Sequence, residues 1–246
     1  MLKRASCTRC LRPKNTCICR WVTPVPNLVE VLILQHPLEV AHVKGTARLL
    51  HLSLPHSRLF TGEVFDLPAC LALMDAHDAS NGGQTSVLPR RNLLLYPHTD
   101  AAVSQNLLQP PPLPLDLPLD LLPDPLPDPL PVPSQLRLIV LDGTWRKSRK
   151  MLYVNPLLEQ LPRLSLQGVS RSRYMIRKAH RPGQLSTLEA TCAALAQLEG
   201  DAGKFEPLLM AFDGFVAQQS GFGRGQLYGQ SPRSMVPESC TFPGAS

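Results

Sequence analysis

The stretch from Leu136 to Met151 constrains the fold most, because an apolar run leads directly into an acidic turn and a cluster of cations. Residues 138–141 are all apolar, which is typical of a strand that is covered on both faces of a parallel sheet. The turn Asp142-Gly143-Thr144 follows, and Thr144 or Asp142 can cap the next helix. Ligands of α/β proteins gather outside the carboxyl ends of such strands, so the sequence predicts a site at this turn.

Composition and charge limit the classes of protein that fit. The chain has 246 residues, of which 43% are hydrophobic, enough for one domain with a sizeable core. The formal net charge is +6 and the cations concentrate in 146–150 and 171–181, which indicates a polyanion such as nucleic acid as the partner. No apolar stretch reaches the roughly 18 residues of a membrane-spanning helix, and no signal peptide is recognisable. We therefore expect a cytoplasmic monomer with no membrane contact and no protein partner.

Four cysteines near the N-terminus follow the pattern C-x2-C-x6-C-x-C; they are Cys7, Cys10, Cys17 and Cys19. Four thiolates at this spacing suit tetrahedral zinc, and four protein ligands leave no coordination position open for catalysis. We predict that residues 1–26 form a structural zinc knuckle; the alternative is four unrelated thiols.

Apolar runs alternate with helical periodicities through residues 27–220, which predicts an α/β catalytic domain with a mostly parallel sheet flanked by helices. The predicted strands are 28–35, 57–60, 92–96, 136–141 and 163–166. The predicted helices are 39–52, 67–76, 145–152, 187–198 and 205–218.

Two segments differ in composition from this domain. In residues 109–134 proline recurs at nearly every second or third position, and proline lacks the backbone donor that a sheet or helix interior needs. This pattern predicts an extended, polyproline-like insert, either a tolerated surface insertion or a docking peptide. Residues 221–246, rich in Gly, Ser and Pro, are predicted to be a disordered tail.

Three further motifs stand where predicted strands end or helices begin. They are His36-Pro37-x-Glu39 with the following Lys44-Gly45-Thr46, then Leu95-Tyr96-Pro97, and finally Leu185-Ser186-Thr187-x-Glu189-Ala190. Each has a purely structural explanation: a hydrogen-bonded core histidine, a carboxylate at a helix N-terminus, or a capping box. Their order along the chain carries more information than any one of them.

Together with the cysteines, D-G-T-W at 142–145 and S-R-Y-x-x-R-K at 172–178, these motifs resemble the DTW-domain family, the tRNA-uridine aminocarboxypropyltransferases. The resemblance covers about residues 7–200, apart from the proline-rich insert. It implies a fold related to the knotted SPOUT methyltransferases. It also implies transfer of the 3-amino-3-carboxypropyl group from S-adenosylmethionine to N3 of a tRNA uridine, with release of methylthioadenosine.

In that reaction Asp142 is the candidate general base for uracil N3, or it pairs with the ammonium of the donor. The resemblance assigns donor binding to residues at the motif ends, namely Thr46, Thr144, Trp145, Leu185, Ser186 and Thr187. Trp145 would contact the sulfonium by a cation–π interaction, unless it is a core indole. Free amides near Leu185 would receive a carboxylate or the adenine edge.

The cations expected to hold tRNA phosphates are Arg146, Lys147, Arg149, Lys150, Arg173, Arg177 and Lys178; the alternative for 146–150 is a solvated helix face. The target base could stack on Tyr174 or Trp21. Two other functions fit the same residues. One is a SPOUT-like RNA methyltransferase, and the other is a non-catalytic, zinc-containing RNA-binding module.

Overall fold

A computed structural model describes residues 5–80, 90–97, 132–166 and 185–225. The strands in this part of the chain are β1 (Glu30–Gln35), β2 (Ser57–Thr61), β3 (Arg91–Leu95), β4 (Leu136–Asp142) and β5 (Arg163–Leu164). The α-helices are α1 (Pro37–Val40), α2 (Ala47–Ser53), α3 (Leu67–Ser80), α4 (Trp145–Val154), α5 (Pro156–Glu159), α6 (Thr187–Glu199) and α7 (Glu206–Gly225).

The strands form a five-stranded sheet in the order β2-β1-β4-β3-β5, and every neighbouring pair is parallel. Every residue of β1 is buried, and its residues 31–34 form the apolar run expected of a strand covered on both faces. The predicted parallel sheet is confirmed, and each predicted strand end lies within two residues of the observed one. All carboxyl ends therefore meet at one edge of the sheet.

Helices cover both faces of the sheet, and strand alternation divides the core into two clusters. Val140 and its neighbours on one face pack against α2, α6 and α7. Ile139 and its neighbours on the other face pack against α3, α4 and α5. Because β4 lies between β1 and β3, its carboxyl end is enclosed on both sides by other strands.

The predicted single helix over 39–52 is wrong, since two short helices flank a turn at 41–46. Val40 and Val43, which carried the helical periodicity, are 55% and 54% exposed. The amide of Gly45 donates to the carbonyl of His42 over 2.8 Å. A Cβ at Gly45 would lie 3.1 Å from that carbonyl oxygen, so glycine fits this turn best.

The N-terminal cysteine segment is part of the same core. Cys10 and Ile18 are buried in the cluster that includes α7. A Cβ at Gly214 of α7 would overlap the Trp21 indole, so glycine permits this close packing.

Two predicted segments fall largely outside the described residues. Only the last three residues of the insert at 109–134 are described, in and before a short 3-10 helix at Pro133–Gln135 that leads into β4. Helix α7 continues to Gly225, so the tail predicted from residue 221 begins inside a helix, and residues 226–246 lie outside the described part. No described helix combines the length and the apolar character needed to cross a membrane.

Candidate functional site

Asp142 ends β4, and its carboxylate is held between two donors. Gln35 Nε2 donates to Oδ2 over 2.8 Å, and Thr187 Oγ1 donates to Oδ1 over 2.7 Å. Gln35 is the register partner of Asp142 on β1, whereas Thr187 is the first residue of α6. The acid is 5% exposed. Two strand ends and one helix N-terminus therefore converge on a single carboxylate.

The N-terminus of α6 is closed by protein groups. Ser186 and Glu189 form a capping box, in which each side chain accepts from the backbone amide of the other. The hydroxyl of Thr46 accepts from the amide of Leu188 over 3.3 Å. The expectation of free amides is thus wrong for residues 186, 188 and 189. Of the predicted donor-binding residues, Thr187 contacts Asp142 directly and Thr46 contacts the amide of the adjacent Leu188. Ser186 and the half-buried Leu185 precede Thr187 in the chain.

The D-G-T-W turn leads from β4 into α4. Thr144 is the N-cap of α4, and its hydroxyl accepts from the amide of Lys147 over 3.4 Å. Trp145 is 49% exposed, so its interpretation as a core indole is wrong. Its ring meets the buried ring of Tyr96 edge-on, with centroids 5.5 Å apart and planes at 74°. The guanidinium of Arg163 lies 5.4 Å from the Tyr96 ring centroid, and burial raises the pKa of Tyr96.

Asp142 and Trp145 lie on different sides of the sheet edge. Asp142 shares its strand face with Val140, whose core contacts are with α2, α6 and α7. Tyr96, which contacts Trp145, belongs to the opposite cluster under α3 to α5. The edge therefore has a buried side around Asp142 and Thr187, which we call the α6 side. It also has an open side around Trp145, which we call the α4 side.

Two lysines of the predicted phosphate-binding cluster form ion pairs with glutamates of the same chain. Lys147 Nζ lies 2.8 Å from Glu39 Oε1, and the Glu39 side chain is only 2% exposed. Lys150 Nζ lies 2.9 Å from Glu63 Oε1, with side chains 60% and 32% exposed. Lys147 thus ties α4 to the His36-Pro37-x-Glu39 motif. Sequence reasoning missed this role, because the two residues are 108 positions apart.

His36 is the buried histidine that the structural explanation predicted. Its Nδ1 accepts from the amide of Leu38 over 3.1 Å, so the proton of the neutral ring is on Nε2. Nε2 faces Glu63 Oε1 at 3.1 Å. Hydrogen bonds from Lys150 and His36 lower the pKa of Glu63.

The remaining RNA-binding predictions divide between exposed residues and undescribed ones. Arg146 and Arg149 are exposed on α4, and within the described ranges neither forms an ion pair. Arg173, Arg177, Lys178 and Tyr174 lie outside the described residues. Trp21 instead packs on Gly214, and its indole N–H donates to Gln218 of α7. Its prediction as a base-stacking residue therefore has no support from this packing.

The four N-terminal cysteines form a cluster suited to zinc. Their sulfur atoms all lie within 4.8 Å of one another. Tetrahedral zinc with Zn–S bonds of about 2.3 Å places sulfur atoms about 3.8 Å apart. The Cys7–Cys19 and Cys10–Cys17 distances are 3.5 and 3.7 Å. A hydrogen bond from the Cys10 amide lowers the pKa of Cys7 to about 6, whereas burial raises the pKa of Cys17 and of Cys19.

Comparison with known proteins identifies the family of the chain. A family model described as the DTW domain matches residues 4–220. The chain belongs to the DTW-domain family. Two animal relatives carry the name tRNA-uridine aminocarboxypropyltransferase 2. The one from Macaca fascicularis is 27% identical over 201 residues, which cover 80% of this chain and 57% of the relative. The one from Drosophila melanogaster is 28% identical over 199 residues, covering 80% and 68%.

A plant relative extends the comparison. The Arabidopsis thaliana protein tRNA-uridine aminocarboxypropyltransferase A is 27% identical over 225 residues, covering 85% of this chain and 78% of the relative. The chain spans 57% of the length of the macaque relative, and the same share of a Mus musculus relative that has the same name. No solved structure matches it.

Proposed function

We propose that this DTW protein transfers the 3-amino-3-carboxypropyl group from S-adenosylmethionine to N3 of a uridine in tRNA. The observation that carries the proposal is the Asp142 carboxylate of the D-G-T-W turn. It is buried at the carboxyl edge of the sheet and oriented by Gln35 and Thr187. The names of the relatives supply the reaction and the tRNA substrate.

The α6 side is the proposed donor site. Asp142 Oδ2 accepts from Gln35 and Oδ1 accepts from Thr187, so the carboxylate is held in a fixed orientation at the sheet edge. Donors on both oxygens stabilise the charged carboxylate, which is the form that pairs with an ammonium. This geometry favours pairing with the donor's ammonium over general-base catalysis. Thr46, Ser186 and Thr187 surround the same position, and Leu185 and Thr144 border it in sequence.

The chemistry requires selection among three electrophilic carbons of the sulfonium. Anchoring the amino-acid end at Asp142 would present the methylene of that chain, rather than the methyl group, to uracil N3. N3 gives up its proton to solvent water at the open side of the edge and forms the new N–C bond. The C–S bond breaks with its electron pair on sulfur, which releases neutral methylthioadenosine. The exposed indole of Trp145 would face the sulfonium from the α4 side through a cation–π contact.

The α4 side is the proposed tRNA surface. Arg146 and Arg149 are exposed beside Trp145, so phosphates placed there would bring an unstacked uridine to the sheet edge. Arg173, Arg177 and Lys178 remain proposed phosphate contacts. Lys147 does not belong to this set, because Glu39 holds it.

Three further features belong to the proposal. The cysteine cluster would hold a structural zinc through its four thiolates, which fits its geometry. The fold would be SPOUT-like and knotted, as the family resemblance implies. The protein would work as a cytoplasmic monomer.

The function is tested in cells of the source organism that lack the protein. Nucleoside mass spectrometry of their tRNA should show loss of one aminocarboxypropyl-uridine. Wild-type protein should restore the modification, and Asp142→Asn, expressed to the same level, should not. A tRNA pool with unchanged aminocarboxypropyl-uridine would contradict the proposal, and loss of a methylated nucleoside instead would indicate methyl transfer.

A further inference from the structure

Arg12 joins the cysteine knuckle to the turn that precedes Thr46. Its Nη1 donates to the carbonyl of Val43 over 2.7 Å, and its Nη2 donates to the carbonyl of Gly45 over 2.8 Å. A planar guanidinium spans two carbonyls in a fixed orientation, which an ammonium cannot do. The two hydrogen bonds therefore fix both the position and the direction of this turn.

The position of Arg12 is itself set by the proposed zinc ligands. The amide of Cys7 donates to the carbonyl of Arg12 over 2.8 Å, and the amide of Leu11 donates to the carbonyl of Cys7 over 2.9 Å. Leu11 has a φ of 61°, an uncommon conformation for a leucine. This conformation closes the Cys7–Arg12 loop. The Arg12 guanidinium also lies 5.3 Å from the ring centroid of Phe215 on α7. Order in the knuckle thus determines where the guanidinium lies.

The other end of this chain of contacts reaches Asp142. Gly45 precedes Thr46, whose hydroxyl accepts from the amide of Leu188. Leu188 follows Thr187, which donates to Asp142. A displacement of the 41–46 turn would therefore move Thr46 and release one amide at the N-terminus of α6. This chain of contacts begins at Cys7 and ends at Thr187. The two residues lie in regions that were predicted separately from the sequence.

We propose that Arg12 is a positioning residue, which couples the zinc knuckle to the N-terminus of α6 and so to the donor side of the active edge. The coupling stands on the contacts alone, and only its effect on donor binding rests on the proposed function. Zinc would then do more than stabilise the N-terminal segment, because metal occupancy would control the order of the turn that carries Thr46.

Amide hydrogen exchange of the full chain tests the coupling without any reaction. In Arg12→Ala, exchange in 43–46 and 187–189 should accelerate about 10-fold, as expected for loss of two hydrogen bonds that order a turn. Zinc content should stay at one per chain. Arg20→Ala is the matched control, because Arg20 belongs to the same knuckle but lies over the Trp21 ring. It should leave exchange in both segments unchanged.

Two further variants keep the test decisive if Arg12→Ala does not fold. Arg12→Lys, which can reach one carbonyl at a time, should accelerate exchange in both segments by a smaller factor. Thr46→Val should accelerate exchange only in 187–189, because Arg12 still holds 43–46. Unchanged exchange in either 43–46 or 187–189, in a folded Arg12 variant that retains zinc, would overturn the coupling.

Donor binding supplies the second measurement. Affinity for S-adenosylmethionine, measured by calorimetry, should fall about 10-fold in Arg12→Ala, and KM should rise while kcat stays within about 3-fold. Unchanged affinity, together with accelerated exchange, would overturn the link to the donor side. If wild-type protein binds no S-adenosylmethionine, the proposed function fails, and the exchange data still decide the coupling.

Discussion

The two sides of the sheet edge differ in how their polar groups are used. On the α6 side, Asp142, Ser186 and Glu189 are buried, and protein donors or amides hold them. On the α4 side, Trp145 and the two arginines of the same turn of helix are exposed. Buried and mutually bonded groups hold a fixed geometry, whereas exposed aromatic and cationic groups are free to meet a large polyanion. This difference is the reason why we propose donor binding on the α6 side and RNA binding on the α4 side.

The cations of α4 also differ among themselves, since some are held in ion pairs and others are exposed. Arg146 and Lys147 are adjacent in sequence, yet Lys147 is paired with the buried Glu39 and Arg146 is exposed. A run of four cations in five residues therefore cannot be treated as a single RNA-binding unit. Variants at these positions therefore distinguish residues that hold the protein together from residues that are free to bind RNA.

Asp142→Asn should lower aminocarboxypropyl transfer by about 100-fold or more, while thermal unfolding stays close to wild type. The amide preserves the shape of the side chain and loses its charge. Calorimetric titration with S-adenosylmethionine then separates the two roles of Asp142. A large loss of donor affinity identifies an ammonium partner, and near-normal affinity identifies a base. Turnover close to wild type would remove Asp142 from the mechanism.

Lys147→Ala should destabilise the protein by about 2 kcal/mol, because it removes the ammonium from a buried carboxylate. The value is set below the usual cost of breaking a buried pair, since the Lys147 side chain is 25% exposed. Denaturant unfolding measures the free energy. Lys150→Ala is the control on the same helix, and its exposed pair should make no measurable difference. Equal stability of both variants would refute the distinction between the two lysines.

Replacing Arg146 and Arg149 together by alanine should weaken tRNA binding without a change in unfolding free energy. Each lost phosphate contact lowers the slope of log affinity against log salt by roughly 0.7 to 0.9. The double variant should therefore lose about 1.5 from the slope, whereas Lys147→Ala should retain it. Filter binding across a salt series gives both slopes. A slope that falls in Lys147→Ala but not in the arginine variant would reverse the assignment.

The sequence allowed much of the fold to be predicted, because the inner strands β1 and β4 are buried on both faces. The apolar run before Asp142 marks β4 so clearly that the predicted and observed ends differ by one residue. The region 39–52 failed for the opposite reason. There Val40 and Val43 have the spacing of an apolar helix face, although both are exposed. The glycine turn and the hydrogen bonds from Arg12 determine the backbone conformation instead. A periodicity cannot reveal a contact made from 33 residues away.

The candidate site was predictable where its contacts join residues that are close together in the sequence. The cap at Thr144, the capping box at Ser186 and the cysteine cluster all follow from short-range patterns. Gln35 was missed, because its partner Asp142 is 107 positions away and only strand register joins them. A glutamine directly after the apolar run 31–34 was the one available signal.

The central claim is that the protein forms an aminocarboxypropyl-uridine, and a single reaction tests it directly. Purified protein is incubated with bulk tRNA and S-adenosylmethionine, and mass spectrometry then measures both the tRNA nucleosides and the adenosine by-product. We expect aminocarboxypropyl-uridine and an equal amount of methylthioadenosine, with neither formed by Asp142→Asn. Methylated uridine with S-adenosylhomocysteine, or tRNA that is bound but unchanged, would contradict the claim.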